Sequence, residues 1–214
     1  QFGRRDVLKF AGASVAALTL TAAGLSIAKA QDMSQAQDNF YTSDQVRLEK
    51  VTFPSQFGLN VAGNLFVPNN IDRNVTHPAV IVGHPMGAVK EQAANLYATK
   101  MAERGFVTLA IDLLHWGESE GQPRNAVAPD SYAESFSAAV DFLSTHELVD
   151  AERIGGIGVC GSGGFLISAA KIDPRIKAVA TASMYDMGAV TRNGYGRSRS
   201  VEDRKALAAR ASQQ

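Results

Sequence analysis

The sequence has 214 residues, of which 45% are apolar and 20% charged, and it contains a single cysteine. This composition is typical of one ordinary globular domain, and it argues against a disordered chain, a coiled coil, a disulfide scaffold or a polybasic nucleic-acid binder. The 21 basic and 21 acidic residues balance overall, but residues 1–30 carry four basic residues and only one acidic residue. The first part of the chain therefore differs in character from the rest.

Residues 1–30 have the three parts of a secretory signal peptide. Arg4 and Arg5 begin a basic region, residues 10–28 carry no charge, and Ala-Lys-Ala at the end is a small-residue cleavage site. A transmembrane anchor is less favoured, because seven of the 19 uncharged residues are alanine and the stretch is only weakly hydrophobic. We therefore expect cleavage near Ala30, followed by a flexible lead-in over residues 31–45.

The segment Gly-Arg-Arg-Asp-Val-Leu-Lys also resembles the twin-arginine export motif. This resemblance implies an export machinery that carries an already folded protein across the membrane. The mature protein is then expected in the periplasm or outside the cell.

Strand-like and helix-like patterns alternate from Val46 onward. Continuous apolar runs such as residues 79–82 are typical of strands buried on both faces, whereas apolar residues repeating every three to four positions indicate helices. One helix is predicted to open with a capping box, in which Glu134 follows Ser131 by three residues. The predicted strands are 46–53, 60–67, 79–82, 106–111, 154–159 and 176–182, and the predicted helices are 91–104, 163–171, 201–211 and the one that opens at Ser131. This order predicts an α/β fold with a mostly parallel sheet covered by helices on both faces, and such sheets bind ligands at the carboxyl ends of their strands.

The most informative stretch is the strand, tight turn and helix predicted at residues 153–164. Its sequence, Arg-Ile-Gly-Gly-Ile-Gly-Val-Cys-Gly-Ser-Gly-Gly, is what a nucleophile elbow requires, because small residues let the strand and the helix approach each other around a strained turn. With Cys160 at the tip, the residues two positions before it and two and three positions after it are all small. With Ser162 at the tip, Phe165 occupies one of these positions, so the spacing favours Cys160.

Two other interpretations of this stretch stay open. In one, Cys160 is a small buried hydrophobe, as many free cysteines are, and Ser162 is the reactive group. In the other, the glycine-rich turn binds phosphate, which is less favoured because no Gly-Lys-Ser/Thr follows and glycine spacing alone is a weak signal. A thiol is intrinsically more nucleophilic than a hydroxyl, which again favours Cys160.

A loop predicted near the elbow has the features of an oxyanion hole. The sequence Gly-His-Pro-Met-Gly follows the third predicted strand, where a hydrolase places one N–H group of that hole. Pro85 has no N–H group, so Met86 is the expected donor. The second donor is expected to be the N–H of Gly161, the residue after Cys160.

Three further residues are expected to support this site. His84 is expected to shape the oxyanion loop rather than to act as a base. Asp112 begins a loop that follows the fourth predicted strand and reaches the same end of the sheet. His115 lies in that loop and is a candidate for contact with the substrate.

Together these motifs resemble the α/β-hydrolases, in the dienelactone hydrolase-like branch, where the elbow often carries cysteine. The resemblance covers residues 46–187 and rests on the ordered set Gly-His-Pro-x-Gly, Asp-x-x-x-x-Gly-x-Ser and Gly-x-Cys-x-Ser-Gly-Gly. It implies hydrolysis of an ester, thioester or lactone through a covalent acyl-enzyme on Cys160, with a small-molecule acyl substrate and no cofactor. The rival within the same fold is a serine esterase or peptidase that uses Ser162.

The acid and the histidine of a catalytic triad are missing from this pattern. In α/β-hydrolases both follow the nucleophile, yet residues 161–214 contain no histidine, and Asp186 comes one strand too early to be the usual acid. We expect the acid and the base beyond Gln214, with residues 188–214 beginning a lid or insertion. The 214-residue chain alone is then expected to be a poor catalyst. The rival from another class is a non-catalytic binding protein with an incomplete triad.

Charge and residue spacing limit the other partners. Residues 31–191 hold 11 basic and 18 acidic residues, and this net negative charge would repel a nucleic acid. No set of His, Cys, Asp and Glu has the spacing of a metal site, so no metal is expected.

Overall fold

The computed structural model describes residues 41–213, which hold six strands and five α-helices. The predicted leader at residues 1–30 and residues 31–40 of the predicted lead-in lie outside the described residues. The strands are β1 (Val46–Pro54), β2 (Asn60–Pro68), β3 (His77–Gly83), β4 (Val107–Ile111), β5 (Val149–Val159) and β6 (Ile176–Ala182). The helices are α1 (Ala93–Ala102), α2 (Pro129–Ser144), α3 (Gly161–Ile172), α4 (Met187–Asn193) and α5 (Val201–Ala211), with a short 3-10 turn at Tyr195–Arg197.

The strands form one six-stranded sheet in the order β1-β2-β4-β3-β5-β6. The pairs β1/β2 and β2/β4 are antiparallel, whereas β3/β4, β3/β5 and β5/β6 are parallel, so the predicted mostly parallel sheet is confirmed. At its centre, Gly83 of β3 lies opposite Ile111 of β4 on one side and opposite Gly158 of β5 on the other. The loops that follow these three strands consequently begin side by side, which brings the predicted motifs to one end of the sheet.

Helices cover both faces of the sheet, because the central strands are apolar on both sides. Every residue of β4 is buried, as are residues 79–83 of β3. On one face, the alanines of α1 pack against Phe66, Val80 and Val82. On the other face, α2 and α3 contribute Phe136 and Leu166 to the main core.

Helix α2 begins earlier than the sequence predicts, and its predicted capping box is wrong. The helix starts at Pro129, after an extended Ala128, and no side chain caps it. Proline suits the first helical position because it has no N–H group to satisfy there. Glu134 is instead buried and accepts a hydrogen bond from the Gln56 N–H at 2.8 Å. The residue expected to cap α2 therefore connects this helix to the turn between β1 and β2.

Two helices without a buried residue, α4 and α5, follow β6. Helix α5 has the bounds that the sequence predicts. A capping box of Ser200 and Asp203 begins α5. Among the helices of residues 41–213, none is both long and apolar enough to cross a bilayer.

Candidate active site

Cys160 occupies a strained backbone position between β5 and α3. Its φ is 55° and its ψ is −118°, a conformation that residues with a side chain rarely adopt. The Cys160 N–H donates to the carbonyl of Ala182 at 2.8 Å, and the Cys160 carbonyl accepts from the Gly163 N–H at 3.1 Å. As a residue, Cys160 is partly exposed. This sharp strand-to-helix turn has the geometry of a nucleophile elbow with Cys160 at its tip.

Glycine at two positions allows β5 and α3 to approach this closely. A Cβ on Gly158 would lie 2.5 Å from the Cα of Gly163 and 2.6 Å from its nitrogen, much closer than atoms can pack. Both contacts are with backbone, which cannot rotate away. The elbow of this chain therefore depends on these glycines as the spacing around Cys160 predicts.

Ser162, the other predicted nucleophile, lies in a different environment. It belongs to the first turn of α3 and is 1% exposed. Its hydroxyl donates a hydrogen bond to the backbone carbonyl of His84. A Cβ on Gly83 would lie 2.8 Å from the Ser162 Oγ, so β3 also closes over this hydroxyl. Ser162 thus connects α3 to the loop after β3, whereas Cys160 is partly exposed.

The structure brings the two predicted oxyanion donors together. Residues 85–88 form a turn in which the Ala88 N–H donates to the Pro85 carbonyl at 3.0 Å, and Gly87 has the positive φ of 77° that a type II turn requires at its third position. Met86 lies in this turn, and its nitrogen would be 3.6 Å from a Cβ on Gly161. Within residues 41–213, neither the Met86 N–H nor the Gly161 N–H has a hydrogen-bond acceptor. Two adjacent free N–H groups beside a thiol can stabilise a developing oxyanion.

His84 uses both ring nitrogens to hold the oxyanion loop. Its Nε2 accepts from the Leu113 N–H at 3.1 Å, which requires the proton to be on Nδ1, and Nδ1 then donates to the Pro85 carbonyl at 2.8 Å. Burial of the ring lowers the pKa of His84 below its ordinary value, despite the Pro85 hydrogen bond and the Asp112 charge. His84 is consequently neutral at pH 7, and it connects the loop after β3 to the loop after β4.

Asp112 connects the same two loops through its carboxylate. It is fully buried at the end of β4. One oxygen accepts the Lys90 N–H at 2.8 Å, and the other accepts both the Lys90 ammonium at 2.8 Å and the Glu118 N–H at 2.9 Å. Asp112 thus links the loop after β3 to the loop after β4.

Sequence reasoning missed the buried ion cluster around Lys90. The Lys90 side chain has no exposed surface, and its ammonium lies 2.7 Å from Glu91, 2.8 Å from Asp112 and 2.6 Å from Glu118. Burial opposes this charge, but the three carboxylates outweigh it and raise the pKa of Lys90. Oxygens of Glu91, Asp112 and Glu118 lie within 4.8 Å of one another, as ligands of a metal would, and the ammonium takes the central cation position. No local spacing indicates this cluster, because Asp112 and Glu118 follow Lys90 by 22 and 28 residues.

His115 is held inside its own loop. Its backbone φ is 74°, and its Nδ1 lies 3.1 Å from the Pro123 carbonyl. A Cβ on Gly121 would lie 2.7 Å from the same ring nitrogen, so the ring packs directly against this glycine. Asp186, the weak candidate for the catalytic acid, accepts from the Ala189 N–H at 2.8 Å and caps α4.

A cavity of about 590 Å³ lies beside α3. Its lining includes Phe165, Met184 and Met187, and it follows α3 from Gly164 to Lys171. Cys160 is not among the residues that line it, but Met184 is, and the next residue, Tyr185, donates its N–H to the Cys160 carbonyl at 3.4 Å.

Comparisons with known proteins agree with this architecture. The sequence profile of the PET hydrolase-like family matches residues 28–193. The uncharacterized protein PA2218 of Pseudomonas aeruginosa is 47% identical over 191 residues, which cover 89% of this chain and 51% of that protein. Its crystal structure has a TM-score of 0.78 and 48% identity to this chain, over 83% of this chain and 55% of the other.

Two further proteins are similar at lower identity. The thiohydrolase aneE of Aspergillus aculeatus is 32% identical over 137 residues, which cover 64% of this chain and 42% of that protein. A dienelactone hydrolase-like phosphotriesterase, P91, from metagenomic libraries shares the fold with a TM-score of 0.55 at 19% identity, over 65% of this chain and 60% of the other. The chain spans about half the length of the curated relatives it matches.

Proposed function

Because this chain belongs to the PET hydrolase-like family of α/β-hydrolases, we propose that it carries the nucleophile and the oxyanion hole of an enzyme that cleaves ester, thioester or lactone bonds. The single observation that carries this proposal is the strained, partly exposed Cys160 beside the free N–H groups of Met86 and Gly161. A turn that holds a thiol in a rare conformation next to two unpaired donors fits a covalent acyl-enzyme mechanism.

In the first half-reaction, Sγ of Cys160 attacks the carbonyl carbon of the substrate, and the carbonyl oxygen becomes an oxyanion. The N–H groups of Met86 and Gly161 donate hydrogen bonds to that oxyanion, which lowers the barrier because the donors are already in place. Collapse of the tetrahedral intermediate expels the alkoxide or thiolate, which takes up a proton, and leaves a thioester on Cys160. Water then attacks this thioester, releases the carboxylic acid and restores the thiol.

Both half-reactions need a group that carries protons. The family places a histidine after the nucleophile for this role, and residues 161–214 contain none. We therefore assign proton transfer in the whole protein to a histidine outside these residues, and we expect the 214-residue chain to acylate at Cys160 far faster than it turns over.

The choice of substrate bond follows from the nucleophile and from one relative. A relative named a thiohydrolase favours a thioester among the three acyl classes. Attack of a thiol on a thioester also exchanges one thioester for another, so the bond that forms and the bond that breaks are of the same kind.

A serine esterase or peptidase is the weaker candidate, because the Ser162 hydroxyl is buried and already donates to the His84 carbonyl. To reach a substrate, Ser162 would have to break this bond and α3 would have to move away from Gly83. A non-catalytic binding protein is the remaining candidate, and an acyl donor would acylate its Cys160 no faster than it acylates the thiol of glutathione.

The proposal is tested by mapping the site of acylation. The 214-residue chain is mixed with p-nitrophenyl acetate, digested and analysed by mass spectrometry, alongside its Cys160→Ala and Ser162→Ala variants. We expect one acetyl group, on Cys160, in the unaltered chain and in Ser162→Ala, and none in Cys160→Ala. Acetylation of Ser162 would identify the serine enzyme, and acetylation of Cys160 no faster than that of the glutathione thiol would favour the binding protein.

We also propose that the leader at residues 1–30 directs export to the periplasm or the medium through the twin-arginine route. Replacing Arg4 and Arg5 together with lysine keeps the charge and removes the arginine pair. Cell fractionation should then find the protein retained in the cytoplasm, whereas unchanged export would contradict this route.

A further inference from the structure

The oxyanion loop, residues 84–90, is fastened at both of its ends. At its start, the Leu113 N–H donates to the ring of His84 at 3.1 Å, and the Ser162 hydroxyl donates to the His84 carbonyl. At its end, the Lys90 N–H donates to Asp112 at 2.8 Å. Met86 lies between these two attachments, in a turn whose own hydrogen bond is a single one. The position of the Met86 N–H therefore depends on how firmly both ends are held.

The attachment at Lys90 is strong because it is charged and largely buried. Three carboxylates surround the Lys90 ammonium at 2.6 to 2.8 Å; the side chains of Lys90 and Asp112 have no exposed surface, whereas that of Glu118 is 48% exposed. Charged groups without water are stable only when each is paired. Since Asp112 holds both the ammonium and the N–H of the same lysine, it fixes the backbone of Lys90 as well as its side chain.

We propose that Lys90 is a positioning residue, whose buried ammonium holds the Met86 N–H at the oxyanion position beside Cys160. This inference rests on the proposed function of Cys160. Without the ammonium, the buried carboxylate of Asp112 loses its counter-ion, and it must take up a proton, admit water or move. Each of these responses changes the contacts that hold the end of the oxyanion loop. A displacement of about 1 Å at such a site is enough to cost roughly 100-fold in rate.

Two reactions of one thiol separate positioning from general damage. Acylation of Cys160 by p-nitrophenyl acetate passes through an oxyanion, whereas alkylation of the same thiol by iodoacetamide forms none. We therefore divide the rate constant of acylation by that of alkylation, and divide the result by the same ratio measured for glutathione. This normalised ratio measures how much the oxyanion hole speeds acylation, independently of the exposure and reactivity of the thiol. It is measured on the whole 214-residue chain.

The variants are Lys90→Met, which removes the ammonium, and the double variant Lys90→Met with Asp112→Asn. The double variant removes both charges, so it keeps a folded chain available for the test if the single one is too unstable. The matched control is Lys100→Met, which removes a partly exposed lysine of α1 that pairs with Glu103 at 3.0 Å. We expect the normalised ratio to fall roughly tenfold to 100-fold in both Lys90 variants, and to change less than twofold in the control.

The outcomes separate this inference from the proposed function. A ratio in the unaltered chain that only equals that of glutathione means that there is no working oxyanion hole, and it overturns both. A ratio well above that of glutathione that stays within twofold in the folded Lys90 variants leaves the proposed function intact and overturns the positioning role. The expected fall, with alkylation unchanged, supports it.

Discussion

Replacing Gly158 with alanine places one methyl group where β5 and α3 meet. The new carbon would lie 2.5 Å from the Cα of Gly163, 2.6 Å from its nitrogen and 2.7 Å from the carbonyl carbon of Ser162. Unstrained carbon contacts lie at about 3.5–4.0 Å, so the strand and the helix must separate by about 1 Å. Overpacking of this kind costs about 1–3 kcal/mol, and we expect the upper end because all three neighbours are backbone atoms. For a domain of this size, the melting temperature should fall by roughly 6–12 °C.

Gly155→Ala is the matched control, since Gly155 lies on the same strand. A Cβ there meets one tight contact, the Ala178 carbonyl oxygen at 3.1 Å, and an ordinary one at 3.5 Å. Replacing glycine lowers the conformational entropy of the unfolded chain, which stabilises the fold by about 0.4–1 kcal/mol and offsets part of that strain. The free energy of unfolding should therefore fall by no more than about 1 kcal/mol. Urea unfolding followed by circular dichroism measures both variants, and acylation of Cys160 reports the elbow. If Gly158→Ala is as stable and as reactive as Gly155→Ala, the close approach of β5 and α3 does not shape the elbow.

Four further substitutions test other parts of the structure. Burial lowers the pKa of His84, so near pH 6.5 the unfolded chain takes up a proton that the folded chain does not. The contribution of this difference to the free energy of unfolding is present above about pH 6.5 and is lost as the pH falls. His84→Gln should therefore flatten the decline in the free energy of unfolding between about pH 7.5 and 5.5 in urea titrations, and an unchanged slope would contradict a buried neutral ring. Lys90→Met should cost about 3–5 kcal/mol in the same titration, whereas adding Asp112→Asn should recover part of that loss; a double variant less stable than the single one would argue against an unpaired buried charge. Asp186→Ala should lower stability by about 1 kcal/mol through the lost cap of α4, without slowing the acylation of Cys160, and a slower acylation would instead indicate a catalytic acid.

Much of the fold follows from local features of the sequence. The run Ala-Val-Ile-Val at 79–82 predicts a strand buried on both faces, and β3 is buried in this way at the centre of the sheet. The glycine spacing around Cys160 predicts a sharp turn, because the steric limits on a strand that meets a helix act between near neighbours in the chain. Both features need only residues that lie close together in sequence.

The features that the sequence could not reveal depend on contacts between distant residues. Glu134 lies at the right distance from Ser131 for a capping box, but a turn 78 residues earlier supplies its actual partner, the N–H of Gln56. Lys90 looks like an ordinary exposed lysine at the start of a helix, and only the packing of two loops makes it fully buried among carboxylates. Charge and capping patterns therefore predicted less than apolar runs and glycine spacing did.

The central claim is that a substrate carbonyl binds between Cys160 and the N–H groups of Met86 and Gly161. A crystal structure of the 214-residue chain after reaction with p-nitrophenyl acetate tests it most directly. We predict a thioester on Cys160 whose carbonyl oxygen lies within about 3 Å of both nitrogens. An acetyl group on Ser162, or a thioester whose oxygen points away from Met86 and Gly161, would contradict the claim.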